Sequence, residues 1–285
     1  MKTRWINKFI ISVIAVAIIS LVYFFLWGKL FVYSPIKIGF SKQVFSNVIL
    51  YIQNGVMLDT ESLDFDSYIL SVEVWHNLRF KKKPKIFIFG DKKSYLRRNV
   101  TKARFYAYPN GSLVISPRSI EEAKEGIISL EIYLKHELSH ILLFQHMGII
   151  SAYWKYPRWL LEGIAVSSSN QMGTSWYPDK NETFVYIRQG YFLPPNYFKT
   201  SKEDKIIFEI DNPIAFKYSE FACIVEYLIE IYGRDKFHRY MIQLFSDTNH
   251  DKVFRKIYGL DFDSFLDEFK NFIINNSSIT QPLTQ

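Results

Sequence analysis

Residues 121–146 read EEAKEGIISLEIYLKHELSHILLFQH, and this stretch decides the fold. Ile127, Ile128, Leu130, Leu134, Leu138, Ile141 and Leu142 recur at steps of three and four, the period of a helix with a broad apolar face. Within it His136 and His140 stand four apart. Both imidazoles therefore leave the same face and can close on one metal ion, with Glu137 between them placed to handle a proton. Such groups are costly to bury in a packed helix unless something pairs with them, and a metal does so. Taken alone, the five residues also read as a surface helix with two solvated histidines; the apolar pattern around them argues for a core helix. Ser119 with Glu122 three residues on, behind Pro117, predicts a capping box at its start.

A second patterned segment runs Pro157-Arg158-Trp159-Leu160-Leu161-Glu162-Gly163-Ile164-Ala165-Val166. It opens on a proline suited to a first helical turn and carries one acid in an apolar run. Zinc at reactive sites commonly takes two His and one Glu and keeps a fourth position for water, which makes Glu162 the third candidate ligand. Gly163 beside it would let this helix approach the histidine helix closely.

With these residues in view, the chain resembles the gluzincins, the thermolysin-like superfamily of zinc metallopeptidases, and within them the small peptidase-MA-like domains. The shared pieces are His136 to His140, then Trp159 to Ala165, then Phe216-Lys217-Tyr218-Ser219 leading through an apolar helix to Ile231-Tyr232-Gly233. The resemblance spans roughly Pro84 to Ile274. It implies that His136, His140 and Glu162 bind Zn2+, that Glu137 is the general base, and that a peptide or protein is the substrate. Tyr218 matches a recurrent tyrosine of the family and is the candidate oxyanion donor; among 19 tyrosines, a packing role is the competing reading. A catalytically weak or inactive relative that binds a protein partner at the cell envelope is the alternative function.

Two departures matter. Thermolysin-type enzymes often place an acid four residues after the third ligand to orient the first histidine, and here Val166 stands there, so another group must hold His136. The G-x-M-E-N segment with which aminopeptidases of the superfamily grip a free amino terminus is missing. Residues 104–116 read instead as two alternating runs around Asn110-Gly111, a hairpin, which favours an endopeptidase.

Toward the amino terminus, Phe9 to Trp27 carries no charged residue and is long enough to cross roughly 30 Å of hydrocarbon. Lys2, Arg4 and Lys8 precede it and Lys29, Lys37 and Lys42 follow, so the positive-inside rule discriminates weakly; a short basic tail before a long apolar run reads as a signal anchor that carries the following domain out of the cytoplasm. The expected organisation is a tail and transmembrane anchor over 1–34, a helical connecting region over 35–80 with helices at Val44–Leu58 and Leu63–Leu78, a peptidase-like domain over 81–274 and a loose tail over 275–285. The fold class is α+β: a small mixed sheet with an edge hairpin on the histidine helix, then a mainly helical part. Lys85 to Phe89 is a buried strand, and helices are expected near Asp235–Leu244, Lys252–Tyr258 and Ser264–Ile274. Cys223 is the single cysteine, which excludes an intrachain disulfide and reads as a buried small hydrophobe.

The net charge is +7, and it is unevenly placed: eleven Lys or Arg lie between Arg79 and Arg104 against the one acid Asp91. A solvated lysine face is the first reading; contact of this 79–104 segment with anionic lipid is the second, since an anchored domain stays near the bilayer. No nucleic acid is expected, because no aromatic-interleaved recognition motif accompanies the charge.

Overall fold

The computed structural model describes residues 2–57, 63–148, 151–195 and 210–275. In chain order come helix α1 (Lys2–Leu26), a 3₁₀ turn (Phe31–Tyr33), strands β1 (Phe40–Val44) and β2 (Ile49–Gln53), α2 (Phe65–His76), β3 (Lys85–Ile88), α3 (Lys92–Arg98), β4 (Phe105–Tyr108) and β5 (Ser112–Ile115). Helices follow: α4 (Pro117–Lys124), α5 (Leu130–His146), α6 (Arg158–Ser169), α7 (Lys180–Tyr186), α8 (Pro213–Tyr232), α9 (Arg234–Gln243), α10 (His250–Tyr258) and α11 (Phe262–Asn275). The fold is α+β, with a small mixed sheet followed by a helical part. Residues 276–285, the segment expected to be loose, lie outside the described residues.

Five strands form the sheet in the order β1-β2-β3-β5-β4, with antiparallel pairs at both edges and parallel pairs in the middle. Strand periodicity sorts its side chains onto two faces. Leu50, Ile52, Ile86, Ile88, Phe105, Ala107, Leu113 and Ile115 pack on Leu134, Leu138, Ile141 and Leu142 of α5. Tyr51, Phe87, Tyr106, Tyr108 and Val114 face the other way, where Phe31, Val32 and Tyr95 cover them. Phe31 is fully buried there, which stabilises by roughly 1.5–3 kcal/mol. The chain leaving α1 is thus fastened to the sheet: Lys29 Nζ donates to the carbonyls of Leu96, at 2.5 Å, and Asn99 at the end of α3.

Two local expectations are corrected. Val44–Leu58 is not helical; through Met57 it holds the end of β1, the strand β2 and a turn at Gly55, whose φ is +87°. The run Ile49-Leu50-Tyr51-Ile52 is short, β-branched and aromatic, and its parallel pairing with β3 overrides the helical reading. Hence the sheet draws strands from both sides of residue 80. The histidine helix also begins later than its apolar pattern suggests. Gly126, at φ +72°, separates α4 from α5, so Ser116 caps α4 and Ser129 caps α5. Ser119 instead donates to the Arg104 carbonyl, and Glu122 turns to Arg104 and Arg118 rather than closing a capping box.

The hairpin 104–116 forms as β4 and β5 around Gly111, at φ +81°. The three late helices stand as α9, α10 and α11. They bury aromatic side chains, among them Phe237, Tyr240, Phe254, Phe265 and Phe269, in one core with Trp159 of α6, whose ring meets Phe262 and His250. Cys223 is buried in α8 as expected. Gly163 does permit a close approach, but of α8 and not of α5: a Cβ there would lie 2.5 Å from the Phe221 carbonyl oxygen. Over Trp5–Leu26, α1 is long and apolar enough to cross a membrane, with mean hydropathy 2.9; a membrane anchor and a signal sequence both have this composition.

Candidate active site

α5 presents His136, Glu137 and His140 toward α6, which presents Glu162. The His136 and His140 Nε2 atoms lie 3.1 Å apart, and the Glu162 Oε2 atom is 3.5 Å from each. A tetrahedral ion with ligand bonds of about 2.0–2.1 Å would set its donor atoms about 3.3–3.4 Å apart. The triangle therefore fits zinc, in donor type and in size. All three residues are largely buried, and they form a group of metal-binding character. The charges agree. Burial opposes ionisation of Glu162, yet His140 and His136 outweigh it and hold the carboxyl well below its ordinary range. His136 is pushed up, because the pull of Glu162, Glu137 and Gln171 outweighs its own burial. The cluster thus draws positive charge to its centre. Glu137 behaves oppositely to Glu162: burial first, then the neighbouring Glu162 charge, raise its carboxyl despite both histidines and the Ala107 N–H.

The missing holder of His136 is Gln171. Its Oε1 lies 2.7 Å from His136 Nδ1, and a carbonyl oxygen can only accept, so Nδ1 carries the proton and Nε2 turns its lone pair to the centre. Gln171 follows Asn170, which ends α6 in the left-handed conformation. No helical spacing counted from Glu162 reaches it, which is why the sequence hid it. Arg158 also escaped notice, although its i,i+4 relation to Glu162 was visible. Its Nε is 4.0 Å from Glu162 Oε1, and its Nη2 donates to the Tyr218 hydroxyl at 3.1 Å. Tyr218, on α8, therefore does share the cavity with the cluster. Behind α5, His76 donates from Nδ1 to the Val72 carbonyl at 2.7 Å and accepts the Ser139 hydroxyl at Nε2 at 2.8 Å, bracing the helix from α2.

The cluster opens into a cavity of about 1010 Å³. One wall is β4 with its approach, Arg104 to Ala107; the others come from α5, α6, Trp176, Tyr177 and the start of α8 with Tyr218. β4 is an edge strand, so its outer backbone groups are not used by the sheet.

No protein-family model matches the chain, and no curated protein matches it. Among solved structures, the chain is similar to an M1 zinc metallopeptidase from Deinococcus radiodurans at 14% identity and a TM-score of 0.46, over 85% of this chain and 52% of that one. It is also similar to a two-domain M1 zinc metallopeptidase bound to L-arginine, at 12% identity and a TM-score of 0.49, over 82% and 51%. The chain spans about half the length of these structures. The chemistry of the cluster rests on its own geometry.

Proposed function

We propose that this protein is a membrane-anchored zinc metallopeptidase that hydrolyses peptide bonds. The observation carrying this reading is the convergence of His136 Nε2, His140 Nε2 and Glu162 Oε2, with Glu137 beside them, on a cavity edged by β4. When bound, zinc supplies Lewis acidity and brings the pKa of a water down toward about 7. Glu137 takes a proton from the water that adds to the peptide carbonyl and passes it to the leaving amine; a carboxyl raised by burial is suited to both directions. Tyr218, oriented by Arg158, donates to the carbonyl oxygen as charge develops on it. The substrate backbone extends along the edge of β4 as an added antiparallel strand.

An endopeptidase is the favoured mode. Gripping a free ammonium takes carboxylates beyond those that react. Among the described residues lining the cavity, Asp211 alone is such an acid, while Arg104, Arg118 and Arg158 are cations. α1 serves as the anchor, with the domain outside the cytoplasm. Lipid contact by the basic segment falls on exposed Lys92, Lys93 and Arg97 of α3, next to the anchor's Lys29; Arg98 is buried over Phe31, and Arg104 lines the cleft.

The decisive experiment measures zinc content and cleavage of a mixed peptide library by the full-length protein. About one zinc per chain with internal cleavage is expected. Zinc retained by a His136→Ala, His140→Ala double variant would end this reading of the site. For the anchor, resistance to alkaline carbonate extraction and digestion by protease added to intact spheroplasts are expected; a domain protected until the membrane is opened would reverse the orientation.

A further inference from the structure

The cavity does not end at the metal-binding cluster. Where β4 begins, its wall is made of Thr101, Ala103, Arg104, Arg118 and Trp176. Glu122 sits behind them, and both its oxygens are taken: Arg104 Nε reaches Oε2 at 2.5 Å, Arg104 Nη2 reaches Oε1 at 3.0 Å, and Arg118 Nε reaches Oε1 at 2.7 Å. Two guanidiniums on one carboxylate leave a surplus positive charge. A structural ion pair would be complete with Arg104 alone, whose fork is already matched to Glu122 and whose guanidinium lies 4.3 Å from the Trp176 ring centre. Arg118 is the addition. Its side chain is 66% exposed against 10% for Glu122, and only its Nε is bonded among the described residues. Its remaining N–H groups stand at the end of the cleft on a tethered guanidinium. The fork geometry of such a group selects a carboxylate. Among the described residues, the acids that line the cavity, Glu137, Glu162 and Asp211, come from α5, α6 and the approach to α8, and no ion pair joins any of them to Arg118.

Resting on the peptidase reading above, we propose that Arg104 and Arg118 form a carboxylate-recognition subsite on the C-terminal side of the scissile bond. The position follows from strand geometry. Ala107, whose N–H faces Glu137, marks the reacting end, and Arg104 lies three residues before it. At about 3.3 Å per residue that is about 10 Å along the strand. A peptide antiparallel to β4 runs toward Arg104 as it proceeds to its C-terminus. The favoured substrate therefore carries a carboxylate about three residues beyond the cleaved bond, either an Asp or Glu side chain or the chain's own terminus.

The test compares zinc-loaded full-length protein with its Arg118→Gln and Arg118→Lys variants on peptides matched except about three residues past the scissile bond. That place holds Glu, Lys, or a final residue ending in a free acid or an amide. Binding of the same peptides to Glu137→Gln protein, read by fluorescence anisotropy, runs in parallel. Expected is a preference of about tenfold or more for the carboxylate over its Lys or amide counterpart, in kcat/KM and in affinity. Arg118→Gln should lower that ratio about tenfold and Arg118→Lys should recover part of it. Preference confined to the free acid over the amide assigns the chain terminus; preference for internal Glu assigns an acidic side chain. Equal binding of all peptides to unaltered protein, or a ratio untouched by Arg118→Gln, overturns the subsite. Absence of cleavage alongside selective binding would instead count against the peptidase reading and leave the subsite standing.

Discussion

The two walls of the cavity are built differently. On one side a single helix, α5, delivers His136, Glu137 and His140 from one turn and its neighbour, so their spacing is fixed by the 3.6-residue period. On the other, Arg158 and Glu162 of α6 and Gln171 beyond its end are joined by Tyr218 of α8, a helix that packs closely on α6 at Gly163. The first wall is a property of local sequence and the second a property of tertiary packing. Two residues of the second wall orient others: Gln171 holds His136 across the cavity, and Arg158 reaches Glu162 and Tyr218 within its own wall. Loss of a metal-binding residue or of Glu137, on either wall, should therefore abolish chemistry, and changes to the residues that orient them should grade it.

The largest effect belongs to Glu137. Glu137→Gln keeps shape and hydrogen-bonding capacity but cannot carry the proton. It should lower turnover by about 10²–10⁴-fold while zinc content and thermal midpoint stay near those of the unaltered protein. Metal analysis beside kcat decides it; zinc lost from this variant would make Glu137 a ligand and the division of labour on α5 wrong.

Next comes Tyr218, the assembled wall's candidate oxyanion donor. If its hydroxyl meets the developing oxyanion, Tyr218→Phe should lower kcat by about 10–10³-fold with KM little changed. A tyrosine that only packs and holds Arg158 would show the reverse pattern, about 1 kcal/mol of lost stability and near-normal turnover. Measuring kcat and the denaturation midpoint on the same variant separates the two.

Gln171 grades metal affinity. Its oxygen holds the His136 ring with the lone pair of Nε2 inward, so Gln171→Ala should weaken zinc binding by about 10–100-fold against a competing chelator. Gln171→Glu keeps an acceptor and should retain most of the affinity. His140 is the built-in contrast, for its Nδ1 has no hydrogen-bond partner among the described residues. Equal affinity in Gln171→Ala would mean that the packed helix alone aims both rings.

This contrast also explains what the sequence disclosed. The α5 triad, Glu162, the hairpin 104–116 and the late helices were legible because each is written in a local period or turn. Val44–Leu58 misled because a short apolar run fits both periods, and only pairing with β3 decides between them. The helix start was placed too early because Gly126 was passed over: the apolar pattern itself begins only after it, at Ile127. Gln171 with His136 and Arg104 with Glu122 join residues 35 and 18 positions apart through contacts that no periodicity records, whereas Arg118 stands four residues from Glu122 on α4.

The smallest effect tests what braces the helical wall from behind. His76 is fully buried, and burial brings its pKa from 6.5 down to about 3 despite the Val72 carbonyl. It is neutral in the folded protein and holds Ser139, the residue before His140. Between pH 6.5 and about 3 the unfolded chain therefore binds a proton that the folded chain refuses, so stability falls as pH falls through this window. The slope from this one group approaches about 1.4 kcal/mol per pH unit well below pH 6.5. His250, lowered to about 4 mainly by burial, adds a similar slope over the upper part of the window. Denaturant midpoints of the chelator-treated protein at pH 7.5, 6.5 and 5 should show the loss, and His76→Gln should remove close to one proton's share of it while lowering stability at pH 7.5. An unchanged slope in that variant would mean that His76 does not couple the α5 wall to pH.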